Sequence, residues 1–207
     1  MAQNCFRIIL LAFVLLTAPV DAAGVQGVRF RTTSAHNQIT VEDSGGYRLL
    51  RFNGSMETRM WIANPLRGHF EYTEYFQMPL LWSPEAKRVL MMGLGGGSIV
   101  RAYQHDYPKI HVDSVELDPV VAKVAKQFFH VKESVKHKIH FQDGRQFLRL
   151  NKQVKYDAIM MDAYTSNQFG TNIPFHLATK EFFALAADDL TKNGTLVFNV
   201  IGTYTNW

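Results

Sequence analysis

Three acidic residues, Glu116, Asp143 and Asp162, each follow a short segment that is predicted to be a strand. The carboxyl ends of parallel strands meet at one edge of a sheet, so we expect these acids to face a common crevice. Carboxylates there can accept hydrogen bonds from ribose hydroxyls or from an adenine amino group. One of them can also take the proton that an amine must lose before it attacks carbon. The acids therefore predict a nucleoside site with a proton acceptor.

A glycine-rich turn precedes these acids. The apolar residues 89–92 are followed at once by Gly93, Gly95, Gly96 and Gly97, and then by a helical segment from 98 to about 105. Glycine has no Cβ, so the backbone can turn sharply and approach a ligand closely. A strand, a glycine turn, a helix and a second strand that ends at Glu116 form the first half of a nucleotide-binding Rossmann unit. The alternative is a tight turn without a ligand.

An adenosyl sulfonium ligand explains the acids better than a dinucleotide does. Ser98 is a poor match to the third glycine or alanine of a dinucleotide-binding turn, and a dinucleotide leaves Asp143 and Asp162 without a role. With an adenosyl sulfonium, Glu116 would bind the ribose, Asp143 the adenine, and Asp162 would lie near the reactive carbon. No Cys, His and Asp residues have metal-ligand spacing, so we expect no metal. Three histidines are interpreted as isolated surface or core residues: His69, His111 and His176.

Alternating strands and helices must position these groups. Strands are predicted at residues 89–92, 110–115, 138–141, 156–161 and 195–201, and this βαβα order predicts a mostly parallel sheet with helices on both faces. Asp118 and Pro119 have the types preferred at a helix start, so Asp118 is interpreted as a cap. Residues 23–68 alternate in polarity and predict a small antiparallel β domain, with strands at 38–41, 47–52 and 56–62. Residues 70–81 are predicted to be helical, and 69–207 to form the Rossmann-like catalytic domain.

Composition limits the remaining possibilities. The chain has 207 residues, 47% of them hydrophobic, which is enough for a real core. The net charge of +4 comes without clustered basic residues, so a nucleic-acid surface is not expected. Residues 1–22, with Arg7, an apolar run and the site Val20-Asp21-Ala22, predict a secretory signal peptide. We therefore expect a secreted or periplasmic protein, or a membrane-anchored one if the leader is not cleaved.

The sequence blocks resemble, in their order, those of the polyamine aminopropyltransferases, the spermidine synthase family. The resemblance runs from about residue 36 to 200 through RVLMMGLGGG, VELDP, FQDGRQFL, YDAIMMDAY and KEFF, and includes the small β domain. It implies transfer of an aminopropyl group from decarboxylated S-adenosylmethionine to an amine such as putrescine, often by a homodimer. By resemblance, Glu116 binds the ribose, Asp143 and Gly144 bind the adenine, Asp162 is the proton acceptor, and Tyr72 lines the polyamine site.

Several positions depart from the family pattern. Gly96 stands where the family turn, GGGDGG, has an aspartate that helps to hold the aminopropyl ammonium. Its loss could leave room for the carboxylate of intact S-adenosylmethionine. Thr165 replaces a second aspartate in the loop after the fourth strand, Thr73 a polar residue that is often His or Gln, and Asn37 a glutamine. These changes predict weaker binding of a dicationic amine. By the same resemblance, we expect this chain to lack the later strands of the family, which complete its substrate pocket.

Three functions remain open from sequence. The first is an aminopropyltransferase, supported by the domain order and by Glu116, Asp143 and Asp162. The second is a methyltransferase or another user of intact S-adenosylmethionine, which Gly96 favours. The third is a non-catalytic protein that binds a nucleoside or a polyamine, which the leader favours because an exported enzyme has no obvious supply of cofactor.

Overall fold

The computed structural model describes residues 26–167 and 170–200, so the predicted leader lies outside the described residues. A four-stranded antiparallel sheet comes first. Its strands lie side by side in chain order: β1 Gly27–Thr33, β2 Gln38–Ser44, β3 Tyr47–Phe52 and β4 Ser55–Trp61. The tight turns between strands fall at Gly45-Gly46 and Asn53-Gly54, where all four residues have positive φ. The sequence predicted β2 to β4 within a few residues, but it did not assign β1.

The aromatic segment after this sheet is not one continuous helix. It forms a 3₁₀ helix, Glu71–Gln77, and then the short helix α1, Pro79–Trp82. Proline has no amide hydrogen, so Pro79 can begin a helix but would interrupt one. The 3₁₀ helix turns Thr73 and Phe76 inwards, where both are buried.

The second sheet has five parallel strands in the order β11-β8-β5-β6-β7. The elements follow along the chain as β5 Arg88–Met92, α2 Ser98–Asp106, β6 His111–Glu116, α3 Pro119–Phe128, β7 His137–Phe141, α4 Gly144–Leu150, β8 Tyr156–Met161, β9 Thr165–Asn167, β10 Gly170–Asn172, α5 Lys180–Asp189 and β11 Leu190–Phe198. The predicted Rossmann-like fold is confirmed. The segment between β8 and α5 contains the β9–β10 hairpin and a short 3₁₀ turn, Phe175–Leu177.

Successive residues of the central strand β5 pack on opposite faces of the parallel sheet. Val89 and Met91 belong to the core that includes α2 and part of α3, whereas Leu90 and Met92 belong to the core that includes α4 and α5. All four side chains are buried because helices cover both faces. This explains why the strand is a continuous apolar run rather than an alternating one.

The small sheet packs directly on the Rossmann-like part through α3. Side chains of both form one apolar cluster: Ile39, Val41, Leu50, Met60, Val121, Val124 and Phe129. Burial of each such side chain contributes roughly 1.5–3 kcal/mol. Asp118 caps α3, as predicted, by accepting a 2.9 Å hydrogen bond from the Val120 amide, and it also accepts one from the Ser34 hydroxyl of the small sheet. These contacts hold the small sheet next to the glycine turn.

Within the part of the chain that the structure describes, no helix has the length and apolar character needed to cross a membrane.

Candidate active site

A cavity of about 310 Å³ lies at the carboxyl ends of the parallel strands, where both sheets contribute to its wall. It includes the point where β5 has β6 on one side and β8 on the other, which is where ligands bind in open α/β sheets. Most residues that the sequence assigned to a site line it: Asn37, Tyr72, Gly93, Gly95, Gly97, Glu116, Asp143, Gly144, Asp162 and Thr165. Gly96 is the exception.

Gly93 lets the ends of β5 and β8 come close together. Its φ is +87°, and a Cβ there would lie 2.3 Å from the carbonyl oxygen of Asp162. The Asp162 amide in turn donates a 2.9 Å hydrogen bond to the Met92 carbonyl. A side chain at Gly93 would push these strands apart, so this glycine places Asp162 beside the turn.

Glu116 faces the cavity from the end of β6 and is tied to the glycine turn. One carboxylate oxygen accepts a 3.0 Å hydrogen bond from the Leu94 amide, and the other accepts a 2.9 Å bond from the Asp118 amide. Burial raises the pKa of Glu116 to about 7, although these amide donors oppose the shift. Each oxygen retains a lone pair, so ionised Glu116 can also accept two hydroxyl donors of a ribose.

Asp143 caps α4 and contacts a histidine that the sequence left isolated. Its Oδ1 accepts a 2.9 Å hydrogen bond from the Gln146 amide, and its Oδ2 lies 2.6 Å from His176 Nε2. Gly144 follows, and a Cβ there would lie 3.3 Å from the Met92 sulfur. The interpretation of His176 as an isolated residue is wrong, because it lines the cavity together with Asp143. The two residues are 33 positions apart, and no spacing pattern in the sequence could have linked them.

Asp162 is held from two sides by neutral donors. The Tyr72 hydroxyl donates to its Oδ2 at 3.0 Å, and the Asn199 side-chain amide donates to its Oδ1 at 2.9 Å. Burial raises the pKa of Asp162 above its usual range, and the two donors lower it again in part. Burial and the nearby Asp162 charge also raise the pKa of Tyr72, so its phenol keeps its proton. A fixed carboxylate of raised basicity is suited to accept a proton.

Asn199 is a site residue that the sequence analysis missed. It follows β11, the strand beside β8, so its backbone reaches the same edge of the sheet as Asp162. The rule that parallel strands end at one edge could have identified it. Tyr164 also contacts Asn199, because the Tyr164 hydroxyl donates a hydrogen bond to the Asn199 carbonyl.

Gly96 faces the small sheet rather than the cavity. Its amide donates a 2.9 Å hydrogen bond to the Thr58 hydroxyl oxygen, and a Cβ at Gly96 would lie 2.6 Å from Thr58 Cγ2. Thr58 is itself buried. The expectation that Gly96 leaves room for an additional carboxylate is therefore wrong, because the Thr58 side chain fills that space.

The two remaining substrate-site residues, Asn37 and Thr165, line the cavity from different elements. Asn37, in the turn before β2, accepts a 3.2 Å hydrogen bond from the Asn53 side chain. Thr165 begins the β9–β10 hairpin, and its hydroxyl donates to the Asn172 carbonyl at 3.3 Å. Thr73 also lines the cavity, but its hydroxyl donates to the Phe70 carbonyl at 2.7 Å. Among residues 26–167 and 170–200, no group of three or more His, Cys, Asp or Glu side chains is arranged to hold a metal.

The chain matches a family model, the spermine/spermidine synthase domain, over residues 69–200. A polyamine aminopropyltransferase from Vibrio vulnificus is 32% identical over 204 residues, which cover 94% of this chain and 67% of the Vibrio protein. An eEF1A lysine and N-terminal methyltransferase from Bos taurus is 32% identical over 128 residues, covering 59% of this chain and 18% of the bovine protein.

The similar solved structures also include both a spermidine synthase and a methyltransferase. A spermidine synthase from Thermotoga maritima has a TM-score of 0.66 at 20% identity, over 82% of this chain and 55% of the other. Human methyltransferase-like protein 13, in complex with SAH, has a TM-score of 0.54 at 26% identity, over 64% of this chain and 65% of the other. The chain thus spans between about half and two thirds of the length of these solved structures.

Proposed function

This chain belongs to the spermine/spermidine synthase family, and we propose that it transfers the aminopropyl group of decarboxylated S-adenosylmethionine to a small amine such as putrescine. The observation that carries the proposal is the placement of Asp162, which Tyr72 and Asn199 hold beside the glycine turn. In the same cavity, Glu116 would bind the ribose, and Asp143 with Gly144 would bind the adenine.

The chemistry requires a proton acceptor next to an amine. The acceptor amine gives a proton to Asp162, and its freed lone pair attacks the propyl carbon bonded to the sulfonium. A carbon–nitrogen bond forms, the carbon–sulfur bond breaks, and its electron pair stays on sulfur in the methylthioadenosine product. The Tyr72 phenol keeps its own proton and therefore acts as an orienting donor rather than as the base.

A turnover assay tests this proposal. The purified chain is mixed with decarboxylated S-adenosylmethionine and, in turn, putrescine, cadaverine and spermidine, and methylthioadenosine and the extended amine are measured by mass spectrometry. We expect both products in equal amounts with at least one amine. Absence of methylthioadenosine with every amine would contradict the proposal.

A methyltransferase is the second candidate, because several of the similar proteins are methyltransferases. It would use intact S-adenosylmethionine, which carries an additional carboxylate. The acids that line the cavity include Asp162 and Glu57, and Thr58 fills the space at Gly96. Calorimetry with both forms of the ligand distinguishes the candidates, since tighter binding of the intact form would favour the methyltransferase.

Nucleoside affinity should depend on pH through Glu116. Its pKa of about 7 means that the carboxyl group is mostly protonated below pH 7. A protonated carboxyl group accepts hydrogen bonds from ribose hydroxyls less well than a carboxylate does. Binding that requires the ionised form should therefore weaken about tenfold from about pH 8 to about pH 6. Calorimetry with methylthioadenosine, whose own charge is constant over this range, measures the effect. The Glu116→Gln variant should bind weakly at both pH values, and an unchanged pH dependence in it would contradict the assignment.

We also propose that residues 1–22 direct export, so that the mature chain acts outside the cytoplasm or on a membrane surface. The support is the sequence pattern alone: a positive residue, an apolar run and a small-residue cleavage site. Fractionation of cells that produce the full chain tests this proposal, and a cytoplasmic chain that keeps its leader would contradict it.

A further inference from the structure

We propose that Glu57 binds a primary ammonium group in the cavity and thereby selects the decarboxylated form of the ligand. This inference rests on the proposed function and adds a residue to it. Glu57 lies on β4 of the small sheet, lines the cavity and is partly exposed there. The glutamate does not belong to the parallel sheet that carries the other acids of the site.

The position of Glu57 is determined by its neighbour. Thr58 is buried, accepts the hydrogen bond from the Gly96 amide and would contact any side chain at Gly96. The β4 backbone is therefore fixed against the glycine turn, and Glu57 is held next to the turn with it. Thr58 leaves no space for an acidic side chain at position 96. Glu57, the residue before Thr58 on β4, provides an acid at this side of the cavity instead.

Glu57 and Asp162 lie near the same phenol. Asp162 accepts a 3.0 Å hydrogen bond from the Tyr72 hydroxyl, and the charge of Glu57 contributes to the raised pKa of Tyr72. Two carboxylates around one phenol suit a ligand with two amino groups. One amine gives its proton to Asp162 and reacts, while a second ammonium keeps its charge and needs a permanent partner. Glu57 can be that partner.

The same charge would act against intact S-adenosylmethionine. Its carboxylate would approach a wall that carries Glu57, and like charges at short range disfavour binding. The decarboxylated form has no such group and carries an ammonium on its propyl arm. Glu57 therefore favours one form and disfavours the other, which makes it a determinant of ligand choice.

Two ammonium groups fit this assignment: the one on the propyl arm of the decarboxylated ligand and the far one of the diamine. Calorimetry on the full chain separates them with four probes, namely methylthioadenosine, decarboxylated S-adenosylmethionine, intact S-adenosylmethionine, and putrescine in protein saturated with methylthioadenosine. The variant is Glu57→Gln, which removes the charge but keeps the shape. Its control is Glu71→Gln, which removes an exposed acid next to Tyr72 that does not line the cavity.

We expect Glu57→Gln to bind methylthioadenosine like the wild type and to bind at least one ammonium ligand about tenfold more weakly or worse. A loss for the decarboxylated ligand assigns the propyl arm and supports ligand selection by Glu57. A loss for putrescine alone assigns the diamine and overturns that selection. The preference for the decarboxylated over the intact form should fall by a similar factor if the arm is the partner, which general damage to the site would not produce.

The assignment is overturned if Glu57→Gln binds both ammonium ligands like the wild type, or if Glu71→Gln loses as much affinity as Glu57→Gln. A wild-type protein that binds none of the four probes would overturn the proposed function, and this assignment with it. Wild-type binding of methylthioadenosine with an unaffected Glu57→Gln variant overturns only the role of Glu57.

Discussion

Replacing Asp162 by asparagine should lower kcat by about 10²- to 10⁴-fold, the usual contribution of a general base. The amide has the size of the carboxyl group but cannot take a proton from the amine. The amide oxygen can still accept a hydrogen bond from Asn199, and the amide nitrogen can donate one to the Tyr72 oxygen. Both neighbours therefore keep a hydrogen-bond partner. We therefore expect the affinity for methylthioadenosine to change by less than about threefold, because the base acts in the reaction and not in nucleoside binding.

Asp157→Asn is the matched control for this experiment. Asp157 is on β8 as well, at the opposite end from the cavity, where its carboxylate accepts hydrogen bonds from the Lys87 and Arg88 amides. Its replacement should cost some stability and leave the kcat of the folded protein unchanged. Stopped-assay measurement of methylthioadenosine release at saturating ligand gives kcat for both variants. An Asp162→Asn enzyme within about threefold of the wild-type kcat would exclude Asp162 as the base.

Replacing Gly93 by alanine should cost at least about 3 kcal/mol more folding free energy than an otherwise similar glycine replacement. The residue has a φ of +87°, which strains any L-residue, and its Cβ would lie 2.3 Å from the Asp162 carbonyl oxygen. That oxygen belongs to the backbone, so it can move away only if β5 and β8 separate. Separation would also stretch the hydrogen bond from the Asp162 amide to the Met92 carbonyl.

Gly54→Ala isolates the backbone strain from the steric contact. Gly54 has nearly the same φ, +91°, but a Cβ there has no atom within 4 Å. Its replacement should cost only the strain of a left-handed residue, about 1–3 kcal/mol. Urea denaturation of both variants gives the difference, and a Gly93→Ala variant that does not fold at all also agrees with the expectation. Equal losses for the two variants would show that the turn relaxes freely at Gly93.

Local sequence patterns were enough to predict the architecture. The buried run at β5, the glycines that follow it and the cap at Asp118 each depend on interactions within a few residues, and the structure contains all of them. The sequence missed the break between the 3₁₀ helix and α1, although Pro79 was a visible signal for it. Because parallel strands end at one edge of a sheet, the sequence also predicted that Glu116, Asp143 and Asp162 face one cavity, without any knowledge of long-range contacts.

The sequence by itself thus determined the fold, the edge of the sheet where the site lies and the acids at that edge, because strand and helix periodicity is a local property. The tertiary structure decided which other groups surround those acids. Asn199 and Asp162 are 37 residues apart, His176 and Asp143 are 33 apart, and Thr58 and Gly96 are 38 apart. No local pattern encodes such pairs. Packing of the small sheet on α3 places Thr58 in the space at Gly96 and Glu57 in the cavity wall, and that packing determines which charges a ligand meets.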